Sequence, residues 1–176
     1  MCLYCKDFIR EGARILDLGC GSGIVGKQFQ DFFKAELIGI DIEDKRVEEI
    51  PFRIFDGFHI PFPNSSFDVV LINYVLHHTP DPEILLKEAK RVGKKIIIFE
   101  DLPDGFLSKL RCFLHQESYN IFLQRKKQKF NFKTKKEWES IFETLGLKIL
   151  DSKKVLATKL DLIDPVSRIL FLLEKT

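Results

Sequence analysis

Apolar runs alternate with stretches of helical spacing through the first two thirds of the chain, the order expected of repeated βαβ units around a parallel sheet. The pattern predicts a strand over Arg14 to Leu18, a helix from Ser22 to Phe33, a strand over Glu36 to Asp41, a short helix from Asp44 to Ile50 and a strand over Phe52 to Phe55. Pro61, Pro63, Asn64 and Ser65 exclude regular hydrogen bonding and mark a loop. Val69 to Ile72 forms the continuous apolar run of a strand covered on both faces, which places a fourth strand over Phe67 to Asn73. Pro82 suits the first turn of a helix reaching Val92, Gly93 suits its end, and Lys95 to Phe99 reads as a fifth strand.

Beyond Asp101 the alternation breaks. Leu102 to Phe132 reads as irregular or helical with mixed polarity, an insertion over the site. Thr134 and Glu137 stand at capping-box spacing, so a helix starts there and runs through Trp138, Ile141, Phe142 and Leu145 to Gly146. Two further strands are expected over Leu147 to Val155 and Ile169 to Leu173. The segment between them is short for a helical crossover, so they pair as an antiparallel hairpin. The expected fold is α/β: one seven-stranded, mostly parallel sheet flanked by helices, with the last strand antiparallel, in a single domain over residues 1–176.

Composition narrows the classes. A chain of 176 residues with 45% hydrophobic and 31% charged content is of a size and polarity for one soluble domain. The longest apolar stretch, Val69 to Leu76, is broken by Asn73 and is too short to span a bilayer, and no secretory leader is recognisable, so a cytoplasmic location is expected. A net charge of +2 gives no general reason for a polyanionic partner. Of the four cysteines, only Cys2 and Cys5 are spaced like metal or redox ligands. One such pair cannot complete a zinc site, so no metal is expected.

The chemistry concentrates at Ile15-Leu16-Asp17-Leu18-Gly19-Cys20-Gly21-Ser22-Gly23, where a buried-strand signature meets a glycine-rich turn beside a carboxylate. Alternate glycines let the backbone turn sharply and approach a ligand with no Cβ in the way, and the helix that follows aims its first N–H groups at that ligand. Two cofactors fit this spacing. Gly21, Gly23 and Gly26 satisfy Gly-x-Gly-x-x-Gly, with Asp41 twenty positions after Gly21, as a dinucleotide site requires. Asp17 argues the other way, because a carboxylate there repels a pyrophosphate and attracts a cation by about 4 kcal/mol at 4 Å and an effective dielectric of 20. S-adenosylmethionine offers a sulfonium and an ammonium and no phosphate.

The segment resembles motif I of the class I S-adenosylmethionine-dependent methyltransferases. Asp56-Gly57-Phe58-His59-Ile60-Pro61-Phe62-Pro63, then Ser66-Phe67-Asp68-Val69-Val70, is similar to the pattern of the ubiquinone-biosynthesis-like (type 11) branch, as are Leu76-His77-His78 and Lys87 to Val92. The resemblance runs from Ile15 onward and omits Leu102 to Phe132. It implies a Rossmann-like sheet and a cofactor held at Asp17, Gly19, Cys20, Gly21 and Gly23. It also places Asp41 on the ribose hydroxyls, Ile42 and Phe58 about the adenine, Asp56 with Gly57 at the adenine amine, and Asn73 at the crevice. The chain departs from the family pattern in having about a dozen residues before motif I, from which an open site is expected, and in a short Gly93-Lys94-Lys95 turn.

The acceptor is expected to be a small molecule, and no catalytic residue is assigned. His77, His78 and Tyr74 lie at the exit of the fourth strand as candidate bases or as packing residues. Glu100 and Asp101 are either loop carboxylates or substrate contacts, and Asp68 reads as structural. Arg125 to Lys136 holds seven basic residues and no acid, with Phe130 and Phe132 interleaved. This run suits RNA or another anionic substrate, unless the phenylalanines anchor the loop to the core. A nicotinamide-dependent oxidoreductase and a catalytically silent cofactor-binding module are the remaining alternatives. The sequence does not specify an oligomeric state.

Overall fold

The computed structural model describes residues 1–122, 130–155 and 167–176. In chain order these hold β1 (Arg14–Leu18), α1 (Ile24–Phe33), β2 (Glu36–Asp41), β3 (Phe52–Ile54), β4 (Phe67–Asn73), α2 (Pro82–Val92), β5 (Gly93–Leu102), α3 (Gly105–Phe122), α4 (Lys135–Thr144), β6 (Leu147–Lys154) and β7 (Ser167–Lys175). The strands form one sheet in the order β3-β2-β1-β4-β5-β7-β6. β7 runs antiparallel to both β5 and β6, and the other six strands share one direction, as the sequence pattern predicts.

Both faces of the sheet are covered, which explains the unbroken apolar runs of the central strands. Leu16, Leu18, Val70, Ile72, Ile96 and Ile98 pack beneath Leu85, Leu86 and Ala89 of α2 and Trp138 and Phe142 of α4. The alternate residues Ile15, Val69, Leu71, Ile97 and Phe99 face Phe29 and Phe33 of α1 together with Cys5 and Ile9 of the N-terminal segment. Asp81 caps α2 by accepting from the Glu83 and Ile84 N–H groups, with Pro82 in the first turn. Thr134 and Glu137 form the full capping box of α4.

The structure corrects one expected element and extends others. No helix forms over residues 44–50. The Val47 and Glu48 N–H groups donate to the Ser22 carbonyl at 2.9 and 3.2 Å, and the Arg46 guanidinium spans the Asp44 carboxylate and the Ile50 carbonyl. Those tertiary bonds replace an intrahelical ladder, and Pro51 disfavours helical geometry at Ile50. α1 begins at Ile24 rather than Ser22 because Gly23 is held at φ +78°. β5 outruns its expected length because β7 pairs with it from Lys95 through Leu102. The segment from Leu102 to Phe132 opens into α3, and residues 123–129 lie outside the described chain.

Candidate functional site

The strand order reverses between β1 and β4, and ligands in open α/β sheets bind beyond the carboxyl ends of the strands at such a point. A cavity of about 590 Å³ lies there. Its wall includes Asp17, Gly19, Cys20 and Gly21 from the first loop, Asp41 and Ile42 after β2, Asp56, Gly57 and Phe58 after β3, and Asn73 and Tyr74 after β4. The crevice predicted from the sequence is therefore assembled. Gly23 is the exception: it caps α1, off the cavity wall, facing the Glu48 carbonyl and Ile50.

Backbone geometry builds the loop. Gly19 and Gly21 stand at φ +76° and +50°, in the left-handed region where a side chain is strained. A Cβ on Gly19 would also press into Val75. The Gly19 and Cys20 N–H groups both donate to the Ile40 carbonyl, at 2.8 and 3.1 Å, tying the turn to β2. Asp41 completes the tie: Oδ2 accepts from the Gly21 N–H at 2.9 Å and Oδ1 from the Ile42 N–H at 2.7 Å. Each oxygen keeps a further lone pair for a ligand hydroxyl.

Asp17 is 2% exposed, and its Oδ2 has no hydrogen-bond partner among the described residues. Burial, and then the nearby Asp41 carboxylate, push its carboxyl up to about 7. The helix above makes room for it, since a Cβ on Gly26 would strike Oδ2. The third glycine of Gly-x-Gly-x-x-Gly thus lets α1 pack closely over the buried acid. Asn73 Oδ1 is likewise buried without a partner among the described residues.

Asp56 behaves differently. Oδ1 accepts from the His59 and Phe58 N–H groups at 2.6 and 2.7 Å, and Oδ2 lies 3.1 Å from His59 Nδ1. Those bonds, the His59 N–H foremost, lower its carboxyl to about 2. Beside it, Ile42 and Phe58 are 53% and 44% exposed and add apolar surface to the cavity wall. The residue set fits S-adenosylmethionine: buried carboxylate oxygen for the cationic end, hydrogen-bond acceptors for a diol, and apolar surfaces for a ring.

The histidines separate into two roles. His77 is buried, with Nδ1 2.6 Å from Glu100 Oε2, while Glu100 Oε1 accepts from the Leu76 N–H at 2.7 Å. Glu100 is fully buried within β5 and Asp101, partly exposed, pairs with Arg168 at 3.5 Å; both belong to β5 and neither lines the cavity, so neither is a loop carboxylate. His78 and Tyr74 do reach the cavity, Tyr74 at φ +56°, an unusual backbone setting for a bulky residue. Asp68 is structural: Arg10, Lys94 and the Arg14 N–H surround it.

Sequence reasoning missed the wall formed by Thr79 and Pro80 and the clasp that fixes it. The Asn131 N–H donates to the His77 carbonyl at 2.8 Å, and Asn131 Nδ2 donates to the Thr79 and Pro80 carbonyls. Phe132 stacks on His77 at 4.8 Å, and Phe130 meets His78 edge-on at 4.4 Å. The two phenylalanines therefore anchor the loop rather than offer stacking faces to single-stranded nucleic acid. Arg125, Lys126, Lys127 and Lys129 lie outside the described residues. The missed ion pair of Glu43 and Lys45, at 2.5 Å, borders the same opening.

Comparison with known proteins accords with this geometry. The sequence pattern of the methyltransferase domain family matches residues 3–152. An uncharacterized protein of Methanocaldococcus jannaschii is 33% identical over 173 residues, covering 92% of this chain and 77% of that protein. The 27-O-demethylrifamycin SV methyltransferase of Amycolatopsis mediterranei is 33% identical over 97 residues, 48% of this chain and 36% of the enzyme. The chain spans less than half the length of that and another curated methyltransferase it matches. The fold matches a crystal structure of an S-adenosylmethionine-dependent methyltransferase from Methanosarcina mazei with a TM-score of 0.72, 18% identity and coverage of 98% and 96%. No helix among the described residues is long and apolar enough to cross a membrane. With its family pattern, its sheet order and its crevice in agreement, the chain belongs to the methyltransferase domain family of class I S-adenosylmethionine-dependent enzymes.

Proposed function

We propose that the chain binds S-adenosylmethionine in this crevice and transfers its methyl group to a small-molecule acceptor, as a single domain whose segment from Leu102 to Phe132 borders the acceptor side. When bound, the cofactor supplies an electrophilic methyl on a sulfonium. The observation that carries the reading is the buried Asp17 carboxylate, whose Oδ2 has no partner among the described residues, on the wall of a cavity bordered by glycines with left-handed backbone. Asp17, with the loop of Gly19, Cys20 and Gly21, would hold the cationic amino-acid end, while Gly23 sets the start of α1 behind it. Asp41 would accept from the ribose hydroxyls. Ile42 and Phe58 would enclose the adenine, with Asp56 and Gly57 at its rim and Asn73 towards the methyl.

The protein's share of the rate is placement. Holding acceptor and methyl donor in line is worth about 7 to 11 kcal/mol without a covalent step. Tyr74 and His78 border that position, and His77 with Glu100 fixes the turn that carries them, so an acceptor with a nucleophilic atom of its own needs no dedicated base. A dinucleotide would meet the buried Asp17 where a pyrophosphate must sit.

Titration calorimetry with S-adenosylhomocysteine and, separately, with NADH tests the reading. Binding of the first and silence of the second is expected. Tight NADH binding with no response to S-adenosylhomocysteine overturns it. Methyl release across a panel of acceptors then distinguishes an enzyme from a silent binding module.

A further inference from the structure

Tyr74 occupies a backbone setting that its side chain disfavours. It leaves β4 directly after Asn73 at φ +56°, in the left-handed region that a bulky residue rarely adopts. Its N–H donates to the Phe99 carbonyl at 2.9 Å, so β5, which continues past that point to Leu102, pins the turn from the side. The Tyr74 side chain is half-buried against the core cluster on the α1 face of the sheet, and it lines the cavity. Strained settings of this kind gather where a ligand is held, because the surrounding structure has to impose them.

Strand order places the ring along the crevice. Phe55 and Phe58 line the cavity beyond β3, Asp41 ends β2, Asp17 lies in β1 and Tyr74 leaves β4, and the strands run side by side as β3-β2-β1-β4. With the ribose at Asp41 and the amino-acid end at Asp17, the sulfur that joins them falls at β1, and β4 is the next strand. Val75, the neighbour of Tyr74, already packs on the β1 loop, where it would meet a Cβ on Gly19. Among the described wall residues, Tyr74 is the one phenylalanine, tyrosine or tryptophan that does not follow β3. A sulfonium carries no N–H or O–H, so it offers no proton to a hydrogen-bond acceptor. The negative face of an aromatic ring attracts such a cation without itself being charged.

We propose that the ring of Tyr74 recognises the positive sulfur of the donor, so that the crevice favours S-adenosylmethionine over its neutral product S-adenosylhomocysteine. The inference rests on the cofactor reading of the crevice and adds to it a residue that holds the charged donor and releases the spent one.

The test is calorimetric titration of S-adenosylmethionine and of S-adenosylhomocysteine into wild type, Tyr74→Phe and Tyr74→Leu, each verified as folded by its melting curve. The readout is the ratio of the two Kd values, from which a structural loss common to both ligands cancels. Tyr74→Leu is expected to lower the preference for the charged ligand roughly 3-fold to 30-fold, and Tyr74→Phe, which keeps the ring, to retain it. Tyr74→Gly, the residue that this backbone setting suits, carries the same expectation as Tyr74→Leu and replaces it should the leucine variant fail to fold. Two outcomes overturn the proposal and leave the cofactor reading standing: a wild-type ratio in folded Tyr74→Leu or Tyr74→Gly, or a loss in Tyr74→Phe as large as in Tyr74→Leu, which assigns the effect to the hydroxyl. Wild type that binds neither ligand overturns the cofactor reading and this proposal together.

Discussion

The two sides of the crevice are built by different means. On the β1–β2 side a short stretch of chain, Asp17 to Gly23, makes the loop, and Asp41 secures it by bonding backbone N–H groups of Gly21 and Ile42. On the β4–β5 side the wall is held by contacts between distant residues: Glu100 to Leu76 and His77, and Asn131 to Thr79 and Pro80. The first side presents groups of fixed chemistry, suited to a constant cofactor. The second is a wall whose shape is set by residues far apart in the chain.

Breaking the β5 anchor has the largest expected effect. Glu100→Ala removes the acceptor of the Leu76 N–H and of His77 Nδ1 inside the core, and is expected to lower the unfolding free energy by about 3 to 5 kcal/mol in denaturant titration. Glu100→Gln keeps an oxygen for Leu76 and loses less. An unchanged midpoint for Glu100→Ala would mean that the wall does not hang on this residue.

Asp17 sharpens the comparison through pH. In the unfolded chain its carboxyl titrates at 3.8, whereas in the folded chain it titrates at about 7. Below about pH 4 both states hold the proton. Between there and pH 7 the folded chain alone holds it, so the stability contributed by the neutral acid is lost as pH rises through 7, at up to about 1.4 kcal/mol per pH unit. Asp17→Asn removes that slope from the ligand-free protein in melts between pH 4 and 8. Binding a cation beside Asp17 favours the ionised form, so S-adenosylhomocysteine binding near pH 7 is expected to release protons, seen as a dependence of calorimetric enthalpy on the buffer's ionisation enthalpy. Identical slopes for wild type and Asp17→Asn would contradict the placement of that charge.

The smallest effect lies at the clasp. Asn131→Ala loses the bonds to the Thr79 and Pro80 carbonyls and is expected to cost about 1 kcal/mol of stability. It should leave the Kd for S-adenosylhomocysteine unchanged and, once an acceptor is in hand, raise the acceptor's KM. A shift in the cofactor Kd instead would show that the clasp serves both sides.

The same difference governs what could be read from the sequence. β1, β2, β4 and α2 have the predicted bounds because short apolar runs, Pro82 and Gly93 are local signals. The first loop was legible because three glycines and an acid encode it within a few residues. Residues 44–50 were misread as a helix because their N–H groups find the Ser22 carbonyl, a partner that lies over twenty residues away. Glu100 reads as either a loop carboxylate or a substrate contact because a strand end looks like a loop until β7 is known to pair with it through Leu102. Phe130 and Phe132 presented both readings at once, and only their contact with His77 and His78 decided between a stacking surface and an anchor.

The account rests on the carboxylates of the first side taking a cationic nucleoside cofactor, and Asp41 offers the most direct access to it. Calorimetric titration of S-adenosylhomocysteine into wild type, Asp41→Asn and Asp41→Ala, each verified as folded by its melting curve, is the decisive measurement. The account predicts that Asp41→Ala loses about 2 to 4 kcal/mol of binding, roughly 30-fold to 1000-fold in Kd, with Asp41→Asn in between. A folded Asp41→Ala protein that binds with wild-type affinity would contradict it.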